Sequence, residues 1–321
     1  MIEQCFELGE PVEHRGVVIA PLFPRADPRV AYLTLEEALP LGFCITEVDE
    51  TGSVTELIAR NPLDRPVLLY DGEGLLGLKQ NRILYVTFLV SAQTETRIPV
   101  SCVEQGRWNS RTDFVAAPHV AYADLRRLKA EYFTANPFAP GAAQAALWKS
   151  VADKAARLRI CSATLAAADI YSGHEETLAS LRDAFPPLPE QTGALLGLGP
   201  DRLCLDYVSR PAAFASLYRK LLDGYLLDAL ECLDQEPASL EQFEGFIDKL
   251  VEAPHTESPS VGAGDYLQLA SHGIVGSGLA LDGELLQLCA FTSTQIASDT
   301  SIMPLEPVWE TEYSPSAHPV A

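Results

Sequence analysis

Apolar positions along the first third of the chain fall in short runs that suit strands. GVVIAPLF, FCITEV, PVLLY, ILYVTFLV and TRIPVSCV are rich in β-branched and aromatic residues, and turn chemistry such as Asp49 to Gly52 and Asp71-Gly72 separates them. One short helix interrupts the strands: Thr34 is an N-cap for LEEA, and Pro40 stops the helix early. From about Ala121 the period changes to three and four, in YADLRRLKAEYF and AAQAALWKSVADKAARL, with the Pro/Gly break NPFAPG between them. HEETLASLRDAF predicts a further helix, ended by the run from Pro186 to Pro189.

Beyond Thr192 the pattern becomes hairpin, helices, hairpin. GALLGLGPDRLCLDYV predicts strands joined around Gly199-Pro200-Asp201. FASLYRKLLDGYLLDALECL predicts a long amphipathic helix with Asp223, Tyr225 and Asp228 on its polar face, and SLEQFEGFIDKLVE a second helix. IVGSGLAL and ELLQLCAF, joined by Asp282-Gly283, give the clearest hairpin signal in the chain. Strands and helices cluster instead of alternating, so the fold class is α+β. The expected organisation is a β-rich unit over 1–118, a helical segment over 119–190, an α+β layer of two hairpins and two helices over 191–295, and a loosely held tail over 296–321.

Composition narrows the function classes. With 321 residues, 47% of them hydrophobic, the chain can bury a sizeable core. Its 23 basic residues against 44 acidic ones, net charge -21, argue against general binding to nucleic acid or to an anionic membrane. Seven cysteines with no CxxC indicate reduced thiols, with neither a disulfide framework nor a zinc knuckle. No basic leader with an apolar stretch and no membrane-length apolar run is present, so a cytoplasmic protein is expected. The sequence names no cofactor and no oligomeric state.

Against this acidic background one segment stands apart. Between Lys79 and Arg111 there are five cations (Lys79, Arg82, Arg97, Arg107, Arg111) and only two acids (Glu95, Glu104). It contains the end, KQNR, of one dense polar motif, DGEGLLGLKQNR from Asp71, and the whole of a second, PVSCVEQGRW from Pro99. Arginine forks and a lysine point charge suit a phosphate or carboxylate, so Lys79, Arg82 and Arg107 are candidates to hold an anionic small molecule. Asp71, Gln80, Asn81, Gln105 and Trp108 are candidate ligand contacts, with Trp108 open either to stacking on a base or to plugging the core edge. Glu73 and Glu104 are candidate acid/base residues, and Asp71, Glu73 and Glu104 together offer carboxylates, although no spacing fixes a metal site. Cys102 is a candidate nucleophile if nearby cations lower its pKa, yet no histidine lies close in sequence, His119 being the nearest. The alternative for all of these residues is a buried network of structural ion pairs.

The ordered pair PVLLYDGEGLLGLKQNRILYVTFLV and RIPVSCVEQGRW resembles the ARPP domain, named for its association with ADP-ribosylglycohydrolase and rhodanese-phosphatase superfamily proteins. YLTLEEAL, LWKSVADKAA, TGALLGLGPDRLCLDYV and LYRKLLDGYLLDAL extend the resemblance over much of the chain, while GLLGL, Gly74 to Leu78, departs from the family's more polar start. The resemblance implies a link to ADP-ribose or phosphorylated-nucleoside metabolism, and it implies no established activity. Two functions follow as expectations: a small-molecule site for an ADP-ribose-like or phosphorylated ligand, or a non-catalytic scaffold or interaction module whose polar motif is architecture.

Overall fold

The computed structural model describes residues 2–109, 114–135, 140–271 and 273–293; Arg111 and the expected tail over 296–321 lie outside the described residues. Turn chemistry builds the largest element. The runs flanking Asp282-Gly283 form the strands Ile274–Leu281 and Glu284–Thr292, and GALLGL and LCLDYV pair as Gly193–Leu198 and Leu203–Val208. These four strands sit within a nine-stranded antiparallel sheet that also holds His255–Pro259 and Asp265–Ser271 on one side.

The other side of that sheet comes from the start of the chain. Val17–Pro24 pairs with Gly193–Leu198 in register from Leu22↔Gly193 to Val17↔Leu198, with Phe6–Leu8 and Val12–His14 outside it. The first strands therefore join the C-terminal hairpins and do not extend the β-unit that follows them. The reason lies in GVVIAPLF, which is apolar on both faces and needs cover on both. Leu195, Leu205 and Leu288 pack with Phe243, Phe246 and Leu250 of the helix Leu240–Glu252. Leu196, Cys204 and Phe291, on the opposite face, pack with Phe214, Leu217 and Leu221 of the helix Pro211–Ala229.

A smaller β-unit follows Tyr32. Six strands run in the order Val115–Val120, Glu73–Leu76, Arg82–Leu84, Thr94–Cys102, Glu56–Asn61, Cys44–Thr46, beside a three-stranded sheet of Phe88–Val90, Val67–Leu69 and Leu33–Thr34. Leu57, Leu69, Phe88 and Ile98 share its separate core. Thr34 caps the helix Leu35–Ala38, as the sequence expects, and the structure adds a reciprocal bond from the Thr34 backbone N–H to Glu37. Strands and helices in these proportions make the fold α+β.

The helix Pro211–Ala229 is the main departure from pattern. Asp223, Tyr225 and Asp228 do not form a polar face; they are buried, Asp228 completely. Each has a fixed partner, Arg182 for Asp223, Asp206 for the Tyr225 hydroxyl and Lys154 for Asp228, so the second half of the helix, Lys220 to Ala229, is enclosed on every side despite its polar residues, while Ala212, Ala215 and Arg219 keep one exposed stripe on the first half. Among the described residues no helix is long and apolar enough to cross a membrane.

Candidate functional site

Hydrogen bonding across two strand pairs brings the motifs together. Glu73–Leu76 and Arg82–Leu84 form a hairpin, and Arg82–Leu84 also pairs with Thr94–Cys102, which sets Arg82 opposite Cys102. The connecting turn carries Gly77 and Leu78 at positive φ, 94° and 48°. Glycine takes that conformation freely, whereas leucine is strained there. The strain has a visible correlate: the carbonyls of Gly77 and Leu78 both accept from Arg107, at 3.0 and 2.7 Å.

Arg107 is saturated. Its Nε and Nη2 donate to Glu104 at 2.9 and 2.7 Å, Nη2 also reaches Asn81 Oδ1, and Nη1 donates to the carbonyls of Leu78 and Asn109. Arg82 is fully buried and meets acceptors on every side, firmly at the carbonyls of Ser53 and Gln80, 2.6 and 2.9 Å, and at longer range, 3.4 Å each, at both Glu47 oxygens and the Val54 carbonyl. Each guanidinium has five donors, and in each the fold supplies acceptors for all of them. Glu104 is held as firmly, by Arg107, the Asn81 backbone N–H and the Thr164 hydroxyl. Burial alone would raise its pKa, but these three donors together hold it below the usual carboxylate range.

The remaining motif residues divide by exposure. Gln80 is buried and donates to the Glu104 carbonyl, while Gln105 is exposed in the following turn. Cys102 is buried with its sulfur against the Glu104 carbonyl, and burial pushes the thiol pKa up, the opposite of what a nucleophile needs. Trp108 does not plug the core. It is 45% exposed, with Lys79 Nζ 5.9 Å and the Arg82 guanidinium carbon 5.8 Å from its ring centroid. Among the described residues Lys79 makes no ion pair.

Asp71 and Glu73 belong to other partners. The Asp71-Gly72 turn, with Gly72 at φ 77°, directs Asp71 to Arg126 at 2.9 Å and to Lys129. Arg126 continues to Asp206 through both Nη atoms, at 2.9 and 2.6 Å, and Asp206 accepts from the Tyr70 and Tyr225 hydroxyls. Glu73 accepts from Lys220 at 3.1 Å. Asp71, Glu73 and Glu104 thus form no common carboxylate cluster. Sequence reading missed this Asp71-Arg126-Asp206 chain, whose one sequence signal is an aspartate, Asp206, inside the otherwise apolar strand run LCLDYV.

A cleft lies elsewhere. About 240 Å³ opens between the first turns of the helix Ala123–Ala135 and the hairpin Gly193–Leu198/Leu203–Val208, floored by Leu196, Leu198 and Phe291 and rimmed by Asp124, Arg127, Asp201 and Arg202. Arg202 Nη2 donates to Asp124 at 2.7 Å, and Arg127 donates to Glu131 at 2.8 Å; the two side chains are 36% and 30% exposed. Behind the rim Asp228 accepts from the Asp124 amide at 2.9 Å, and burial pushes its pKa up to about 6. Asp124, Asp228 and Glu231 bring carboxylate oxygens within 4.8 Å of one another, the spacing of a cation site. The Lys154 ammonium already bridges Asp228 and Glu231, so the protein supplies its own cation there.

The chain matches the family model of the ARG and Rhodanese-Phosphatase-superfamily-associated Protein domain, ARPP-1, over residues 6–291, and it belongs to that family. No curated protein and no solved structure matches it.

Proposed function

We propose that this member of the ARPP-1 family is a non-catalytic binding module, in which the motif pair is a structural polar network and its exposed edge at Trp108 and Lys79 meets a partner protein. The observation that carries this reading is the saturation of Arg82 and Arg107 by acceptors of the chain itself. A phosphate entering there displaces Glu104 or Glu47 from a buried guanidinium, and stranding a buried charge costs about 3–5 kcal/mol.

The same residues have a structural task. Glu104 reaches Thr164, Gly106 N–H donates to the Thr164 carbonyl, and Gln144 pairs with both the N–H and the carbonyl of Cys102. These bonds fasten the β-unit to the helical segment. On the outer edge, an indole backed by a buried arginine is a rigid, amphipathic contact of the kind that anchors protein interfaces.

The family name associates the domain with ADP-ribosylglycohydrolase and rhodanese-phosphatase superfamily proteins, and a protein of one of these superfamilies is the partner we favour. The setting we favour is the cytoplasm, where thiols such as the buried Cys102, Cys204 and Cys289 stay reduced. The test is biolayer interferometry of the purified chain against such proteins from the same organism, with Trp108→Ala as the variant. Binding lost in a variant that melts normally supports the module. Binding of ADP-ribose that depends on Arg82 and Arg107 would contradict it.

A further inference from the structure

The cleft beside Arg127 and Arg202 shares no residue with the motif pair, and its chemistry differs. We infer that it is a binding site for a small anionic compound with an apolar body, a phosphate monoester or a carboxylate, held by the guanidinium groups of Arg127 and Arg202.

Three observations converge. The site is concave, with an apolar floor of Leu196, Leu198 and Phe291 and a few charged groups at its rim, which is the usual make-up of a small-molecule site. Its two arginines keep donors unused. Among the described residues Arg127 makes one hydrogen bond, to Glu131, and Arg202 makes one to Asp124 and a long contact of 3.9 Å to Cys232 Sγ. Asp124 holds both cations at the rim, 2.7 Å from Arg202 and 3.7 Å from Arg127, so they are positioned before any ligand arrives.

Volume limits the ligand. At about 240 Å³ the cleft falls below the roughly 300–1,000 Å³ of sites that enclose drug-sized molecules. It accommodates a compact anion and its attached ring or chain, and not a dinucleotide. The apolar floor discriminates further, because inorganic phosphate cannot use it.

Phenyl phosphate, benzoate and inorganic phosphate are suitable probes, titrated by calorimetry into wild-type protein, Arg127→Gln and Asp201→Trp. Arg127 is partly exposed, and a glutamine can still donate to its buried partner Glu131, which the Ser293 hydroxyl also holds; Asp201 is exposed on the hairpin turn, so a tryptophan there obstructs the mouth. The expected result is that phenyl phosphate or benzoate binds more tightly than inorganic phosphate. Loss of one charge-assisted fork should then weaken binding about tenfold in Arg127→Gln, and Asp201→Trp should abolish it. Preference between phenyl phosphate and benzoate identifies which anion the site takes. Absence of binding by all three probes overturns the inference, as does binding that persists unchanged in both variants.

Discussion

Arg82 and Arg107 in the motif pair, and Arg127 and Arg202 at the cleft, all donate to carboxylates in the folded protein. They differ in what the fold leaves them to do. The first pair is buried and surrounded by carbonyls of Ser53, Gly77, Leu78 and Asn109, so that every donor is engaged. The second pair is about a third exposed and faces a cavity with donors to spare. Cation density marks where arginines are concentrated, while donor saturation separates an arginine that builds the protein from one that can bind something else.

The largest effect is expected where the saturated logic runs deepest. Asp206→Asn leaves Arg126 and Lys129 to share Asp71 in a fully buried setting, so urea denaturation should show a loss of about 3–5 kcal/mol. A loss under 1 kcal/mol would mean that these buried ions are not interdependent.

Acid titration sharpens the contrast between the two regions, because each buries a titratable group of opposite sign. Burial lowers the pKa of His119, stacked on Tyr171, to about 3, with Lys220 adding to the shift. A neutral histidine in the folded state stabilises above the ordinary value of 6.5, and that contribution is lost as pH falls through 6.5 toward 3. Asp228, raised to about 6, behaves in reverse: its contribution is present below the ordinary aspartate value and is lost as pH rises toward 6. His119→Phe, which keeps a ring on Tyr171, should reduce the stability lost between pH 7 and pH 5 by about 2 kcal/mol. Asp228→Asn should instead steepen that loss. Identical pH profiles for wild type and both variants would remove the titration account.

Smaller effects test the motif turn and its edge. Leu78→Gly relieves the strain of positive φ but removes a partly buried side chain, so the net change should stay within about 1 kcal/mol. Lys79→Ala should shift stability by no more than about 0.5 kcal/mol, since no ion pair among the described residues depends on it. A larger loss would show that the amine contributes to the frame through Trp108.

Much of the fold is legible in local pattern. Asp282-Gly283 predicts its hairpin, Thr34 its cap, and the three-four period the helices from Ala123 and Gln144. What the pattern does not convey is long-range. The pairing of Val17–Pro24 with Gly193–Leu198 joins segments some 170 residues apart, and the burial of Asp223 and Asp228 depends on Arg182 and Lys154 from other helices. The candidate site divides in the same way. KQNR and PVSCVEQGRW do meet, because their strands pair, yet their engagement rests on backbone carbonyls that every residue type carries and no sequence marks. The cleft is less legible still, since Arg127, Arg202 and Phe291 come from three separate segments.

The most direct test sets one arginine of each pair against the other. Urea denaturation of Arg107→Ala and Arg202→Ala, side by side, compares a saturated guanidinium with one that is partly free. The account predicts a loss of about 3–5 kcal/mol for Arg107→Ala, where Glu104 is left buried without its main partner, and under about 1 kcal/mol for Arg202→Ala, whose partner Asp124 is itself about a third exposed. Equal losses, or a near-normal transition for Arg107→Ala, would contradict the claim that the motif pair is architecture.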